Sequence, residues 1–213
     1  MRPPRDRCVG VLLAGGEARR FDGLPKGLAR VDDIRIADRI LAALRGATES
    51  QLVVSNDARA AEWFPAVPVV ADAEPGLGPL AGIETALRAA NGASILVVAW
   101  DMPFVTTPLL RGMRALGEIG AAAVVPSHGD PPVLEALCAY YASQALDSCT
   151  QLLVEGERRA HALCGVLPSS IVIPERVLEE FGDPPQLFLS VDSQEQLDAL
   201  ADVIPRLGHT PRR

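Results

Sequence analysis

The chain has 213 residues with 20 basic and 27 acidic side chains, a net charge of −7 and a pI of about 5.0, which excludes a broad surface for a nucleic-acid backbone. Hydrophobic residues make up 48% but aromatics only 4%, enough for a sizeable core but not for a base-stacking platform. These limits point to a small-molecule ligand and to a single domain over residues 1–204 with a frayed tail, 205–213.

At the N-terminus, Arg2, Arg5 and Arg7 precede the apolar run Cys8–Ala14, in imitation of a signal peptide. That run is short for one and leads at once into Glu17, Arg19 and Arg20, and no run approaches the roughly 20 apolar residues of a membrane span. The expectation is a soluble cytoplasmic protein with no membrane partner. Cys8, Cys138, Cys149 and Cys164 have no CxxC spacing, and His128, His161 and His209 are scattered. Buried reduced thiols, with no zinc signature, are expected.

Cys8 to Leu13 reads as a buried strand that breaks at Gly15 and Gly16. Glycines at such a break let the chain turn and let an anion approach the amides. Arg19, Arg20 and Lys26 follow, and Lys26 is the only lysine in the chain. A compact ammonium kept among arginines suits a phosphate chain, although the same composition also fits a plain connection. Apolar runs of strand length then alternate with helical patterns: a helix over Ile36 to Leu44, strands over Leu52 to Ser55 and Val67 to Ala71, a helix over Leu80 to Ala90 and a strand over Ile95 to Ala99. The pattern predicts a mainly parallel sheet with helices on both faces.

Asp72 lies just past the third of these strands, where ligands of open α/β sheets gather. The segment Glu74 to Ile83, rich in Gly and Pro, feeds the next helix by its N-terminus, a place where amides can meet an anion or simply a turn. Asp101 follows the strongest strand and suits a divalent metal, because Mg²⁺ takes one or two carboxylates and leaves the rest to phosphate and water. The spacing makes Thr107 the cap of the helix Pro108 to Ile119 rather than Asp101. A strand over Ala121 to Val125 and the apolar run Val133 to Ala139 follow. Gln151 to Val191 is less regular, and its charged turn Gly156 to Arg159 also fits a solvated helix start. Ser193 to Ala201 has a capping-box pattern and reads as a closing helix.

Three motifs, Leu13-Ala14-Gly15-Gly16-x-Ala18-x-Arg20-Phe21 with Lys26, then Gly78-Pro79-Leu80-Ala81-Gly82-Ile83, then Asp101-Met102-Pro103-Phe104, together resemble the molybdenum cofactor guanylyltransferase family. The resemblance implies a three-layer αβα, Rossmann-like nucleotidyltransferase fold and transfer of GMP from GTP to molybdopterin, with pyrophosphate released. It also implies that Leu13, Ala14, Gly15 and Gly16 line the nucleotide, that Arg20 and Lys26 hold its phosphates, that Asn56 and Asp72 contact it, and that Asp101 binds Mg²⁺. Ala14-Gly15-Gly16, against the Ala-Ala-Gly of related cytidylyltransferases, leans towards GTP. GTP and a phosphorylated pterin acceptor are the implied partners, with contacts to molybdoenzyme maturation proteins, for a monomer or small homo-oligomer. The chain departs from the family pattern at Asp22, Pro25, Pro131 and Ser190-x-Asp192. Two alternatives therefore stay open: another phosphorylated acceptor such as a sugar phosphate, and a non-catalytic nucleotide-binding homologue.

Overall fold

In the computed structural model, which describes residues 7–15, 25–191 and 196, the apolar run Cys8–Leu13 forms β1 in the interior of the main sheet. A 3₁₀ turn at Lys26–Leu28 leads into a small hairpin, β2 (Arg30–Val31) and β3 (Ile34–Arg35). Its loop residues Asp32 and Asp33 have φ of 48° and 61°, the backbone that matches strand twist in a two-residue hairpin. There follow α1 (Ile36–Arg45), β4 (Ser50–Val54), α2 (Ala60–Trp63), β5 (Val69–Val70), α3 (Pro79–Ala89) and β6 (Ser94–Ala99). Next come α4 (Thr107–Glu118), β7 (Ala123–His128), β8 (Val133–Leu134), β9 (Cys138–Tyr141) and α5 (Ala145–Val154). The described chain closes with α6 (His161–Val166), β10 (Ser170–Pro174), α7 (Glu175–Leu178) and α8 (Pro184–Leu187).

The main sheet runs β10-β7-β9-β6-β1-β4-β5, with β8 paired to β7. Pairing is parallel for β1 with β4 and β6, β4 with β5, and β10 with β7, while β9 lies antiparallel between β6 and β7. The strands are buried on both faces because side chains alternate across a strand. Leu12, Val53, Leu96 and Val98 pack against Ile36, Ile40 and Leu44 of α1 and Leu109 and Met113 of α4. Val11, Leu52, Ile95 and Val97 pack on the other face against Leu80, Ile83 and Leu87 of α3 and Cys149 of α5. Each fully buried Leu, Ile or Val contributes about 1.5–3 kcal/mol, so these two layers of side chains hold the three layers of elements together. Register then sets the site: Leu13 pairs with both Val54 and Ala99, which brings three strand ends to one level. Between β1 and β6 the chain order changes direction across the sheet, the switch point where such folds bind ligands.

Some boundaries differ from expectation. Thr106, not Thr107, caps α4, its hydroxyl oxygen accepting the Leu109 N–H at 3.4 Å. Thr107 is already helical, and its hydroxyl donates to the Ala43 carbonyl of α1. The strand expected over 67–71 shortens to Val69–Val70 because it pairs with only two residues of β4. The apolar run 133–139 divides between β8 and β9, which bracket a bend. The expected closing helix, Ser193 to Ala201, lies outside the described residues apart from the helical Gln196, and the tail 205–213 lies wholly outside them. Among the described residues no helix is long and apolar enough to cross a membrane. All four cysteines are free and buried.

Candidate active site at the carboxyl ends of the central strands

β1 ends at Leu13, and the ladder continues one step as the Ala14 N–H donates to the Val54 carbonyl at 2.8 Å. Ala14 is buried and Gly15 exposed, with no atom of the other described residues within 4 Å of the position a Cβ would take. Gly16 and Arg20 lie outside the described residues, as do Arg19 and Asp22.

The chain returns at Pro25, and Lys26 opens the 3₁₀ turn. Its Nζ lies 3.7 Å from Asp101 Oδ2, with side chains only 15% and 19% exposed. Asp101 is the second residue beyond β6, and its carbonyl accepts the Val191 N–H at 2.9 Å. Lys26 and the strand-end carboxylate, 75 positions apart by their numbers 26 and 101, thus meet beyond the end of β6.

On the other side of β1, Asn56 and Asp72 form a two-point clasp. The Asn56 carboxamide donates to Asp72 Oδ2 at 2.9 Å, and its oxygen accepts the Asp72 backbone N–H at 2.8 Å. Asp72 Oδ1 is buried without a hydrogen-bond partner among the described residues. An acceptor left in that state is costly unless a donor arrives. Parallel pairing of β4 with β5 is what brings residues 56 and 72 together.

The Gly-Pro-rich segment behaves differently from a free anion cradle. Gly78, at φ of 79°, precedes Pro79, which has no N–H. The Leu80 N–H donates to the Arg158 carbonyl and the Ala81 N–H to the Gly78 carbonyl, each at 3.2 Å. The N–H groups of Leu80 and Ala81 are therefore already satisfied. A Cβ on Gly78 would sit 3.0 Å from the Arg158 carbonyl oxygen, so glycine is needed here for both backbone and space.

The turn Gly156–Arg159 leads into α6 and also reaches the N-terminus of α3 through the Arg158 carbonyl. Glu157 organises it: its carboxylate accepts from the backbone N–H groups of Arg158 and Arg159 and from Arg159 Nε and Nη2 at 2.7–2.9 Å. Those hydrogen bonds, the Arg159 side chain's foremost, hold the Glu157 carboxyl well below the usual carboxylate range. Arg159, with Met102, Glu135 and His161, lines a cavity of about 280 Å³, and a second of about 310 Å³ is lined by Asp72, Glu74, Glu84 and Arg158. The Gly156-Glu157-Arg158 run carried this signal in the sequence. What it lacked was any mark that the carbonyl of Arg158, rather than a side chain, makes the contact.

Residues 10–170 match the family described as MobA-like NTP transferase domain. The chain is 35% identical over 153 residues to a probable molybdenum cofactor guanylyltransferase of Chloroflexus aggregans, covering 70% of this chain and 73% of that one. It is 30% identical over 201 residues to a protein of the same description from Haloferax mediterranei, covering 91% and 92%. Among solved structures it is similar to molybdopterin-guanine dinucleotide biosynthesis protein A from Archaeoglobus fulgidus, with a TM-score of 0.76, 25% identity and 93% and 99% of the two chains covered.

Proposed function

The chain belongs to the MobA-like NTP transferase family, and from that premise we propose that it transfers GMP from GTP to the terminal phosphate of molybdopterin and releases pyrophosphate. The observation that carries the reading is the approach of Lys26 to Asp101 beyond the end of β6. In the proposed arrangement the nucleotide lies over Leu13, Ala14 and Gly15, within reach of Asp72, with Arg20 and Lys26 on its phosphates. The phosphorylated pterin enters through the cavity beyond Met102, where Arg159 supplies a guanidinium for an anionic acceptor.

A phosphate oxygen of the acceptor attacks the α-phosphorus of GTP, the bond from that phosphorus to the oxygen bridging the β-phosphorus breaks, and pyrophosphate leaves with its charge. The attacking phosphate is ionised at neutral pH, so no general base is required. The chain's part is positioning and electrostatics: Lys26 neutralises the departing pyrophosphate, and Asp101 anchors the metal. Among the described residues no group of three or more His, Cys, Asp or Glu could cage a metal. The donor set fits a cation that takes one protein carboxylate and completes its shell with phosphates and water, as Mg²⁺ does. Bound there, it offsets charge on the phosphate oxygens. Four buried free thiols support a cytoplasmic setting.

The test is to supply Mg²⁺ with GTP, CTP, ATP or UTP and molybdopterin or a sugar phosphate, and to measure pyrophosphate. Release with GTP and molybdopterin alone is expected. Release only with a sugar phosphate would change the acceptor, and GTP binding without turnover on any acceptor would reduce the chain to a binding module.

A further inference from the structure

Lys26 and Asp101 each have a neighbour that touches the other's neighbour. A Cβ on Gly27 would lie 2.5 Å from Cε3 and 2.9 Å from Cδ2 of Trp100, closer than carbon atoms approach without displacement. Gly27 is buried and is not among the glycines with positive φ. It is thus space for the indole, not backbone freedom, that requires glycine there.

We infer that Trp100 is a positioning residue which sets the separation of Lys26 and Asp101 by seating its indole against Gly27; the inference rests on the nucleotidyl-transfer reading of that pair. Trp100 is 5% exposed, and its backbone N–H donates to the Leu13 carbonyl at 3.1 Å, which fixes it to the end of β1. The 3₁₀ turn is held from the other side, since the Ile36 N–H at the start of α1 donates to the Ala29 carbonyl at 2.9 Å. The indole lies against Gly27 within that turn. At 3.7 Å the charged pair lies beyond direct hydrogen-bond distance, and the two segments that carry it bear on its spacing. A rigid ring with two side-chain torsions is a better spacer than a flexible aliphatic group.

Lys26 is the only lysine in the chain, so limited acylation with acetic anhydride, read by mass spectrometry, reports its accessibility without requiring turnover. Gly27→Ala, Trp100→Leu and the double variant are compared with the parent well below their melting temperatures. Gly27→Ala is expected to lower kcat for pyrophosphate release by about 10²-fold, the scale of a 1 Å misplacement, and to speed Lys26 acylation. Trp100→Leu is expected to do the same less severely. The double variant, with room for the added methyl, is expected to recover kcat by about tenfold over Gly27→Ala alone and to slow acylation again. Should Trp100→Leu not fold, Trp100→Phe takes its place with the same expectations.

Unchanged acylation and kcat in both single variants, or a double variant no better than Gly27→Ala, would overturn the inference. If the parent releases no pyrophosphate from any nucleotide, the functional reading fails, and acylation alone decides the positioning claim. Normal turnover with unmoved acylation leaves the function standing and removes Trp100 from it.

Discussion

Asn56 holds Asp72 at both ends of its carboxamide, its nitrogen donating to Oδ2 and its oxygen accepting the backbone N–H. Asn56→Leu would release the carboxylate that carries the buried, unpartnered Oδ1. A hydrogen bond to a charged group contributes about 1.5–3 kcal/mol and each 1.4 kcal/mol is tenfold, so KM for GTP should rise roughly ten- to a hundredfold with kcat less affected. An unchanged KM would detach the clasp from substrate binding. At this scale Lys26, Asn56, Asp72 and Asp101 stood out in the sequence as candidates, but not which of them touch. The Asn56–Asp72 contact depends on β4 pairing in parallel with β5, and the spacer role of Trp100 on a glycine 73 positions earlier by number. Neither is written in local composition. The four cysteines were easier, since burial is a property of the apolar runs that contain them. Burial pushes the Cys8 thiol up to about 11 and Cys149 to about 12.

Among elements, α3 is the one that both cavities share, and it is tied to α5 by Glu84. Glu84 accepts from Arg88 at 2.7 Å and from Thr150 at 2.9 Å. Burial alone would raise its carboxyl, but those hydrogen bonds and the Arg88 charge outweigh it and hold the group below its ordinary 4.5. A depressed carboxyl contributes stability that is fully present above its unfolded value and is lost as pH falls through the folded one. Glu84→Gln should therefore cost about 1 kcal/mol or less at pH 7, since Arg88 is half exposed. It should also flatten the loss of stability below about pH 4.5. Urea unfolding at pH 7 and pH 4 checks this, and equal pH dependence in parent and variant would assign the acid sensitivity elsewhere. Helices with one apolar face, α1 and α4, were legible to within a residue or two. The hairpin β2–β3 was not, because two-residue strands joined by Asp32-Asp33 leave no periodic signal.

For the molecule as a whole, alternation of strand and helix revealed the layers but not the direction of β9, since a strand buried on both faces reads alike either way. The same architecture makes ligand binding a global matter. The proposed site is assembled from the ends of β1 and β6, the turn at Lys26–Leu28 and the loop before α3, segments separated in sequence that come together only in the folded chain. A ligand held there binds the folded state and not the unfolded one, so at 100 times its dissociation constant it adds about 2.7 kcal/mol. For a chain of this size each kcal/mol is worth roughly 2–4 °C, so GTP with Mg²⁺ should raise the melting temperature by roughly 5–10 °C. Asp101→Ala should remove the part of that rise that depends on Mg²⁺ while leaving a smaller shift from GTP alone. Calorimetric scans of both proteins, with and without Mg²⁺, measure the difference directly. If the metal-dependent increment is the same in both, Asp101 is not where the cation binds, and Lys26 is left to act on the phosphates without it.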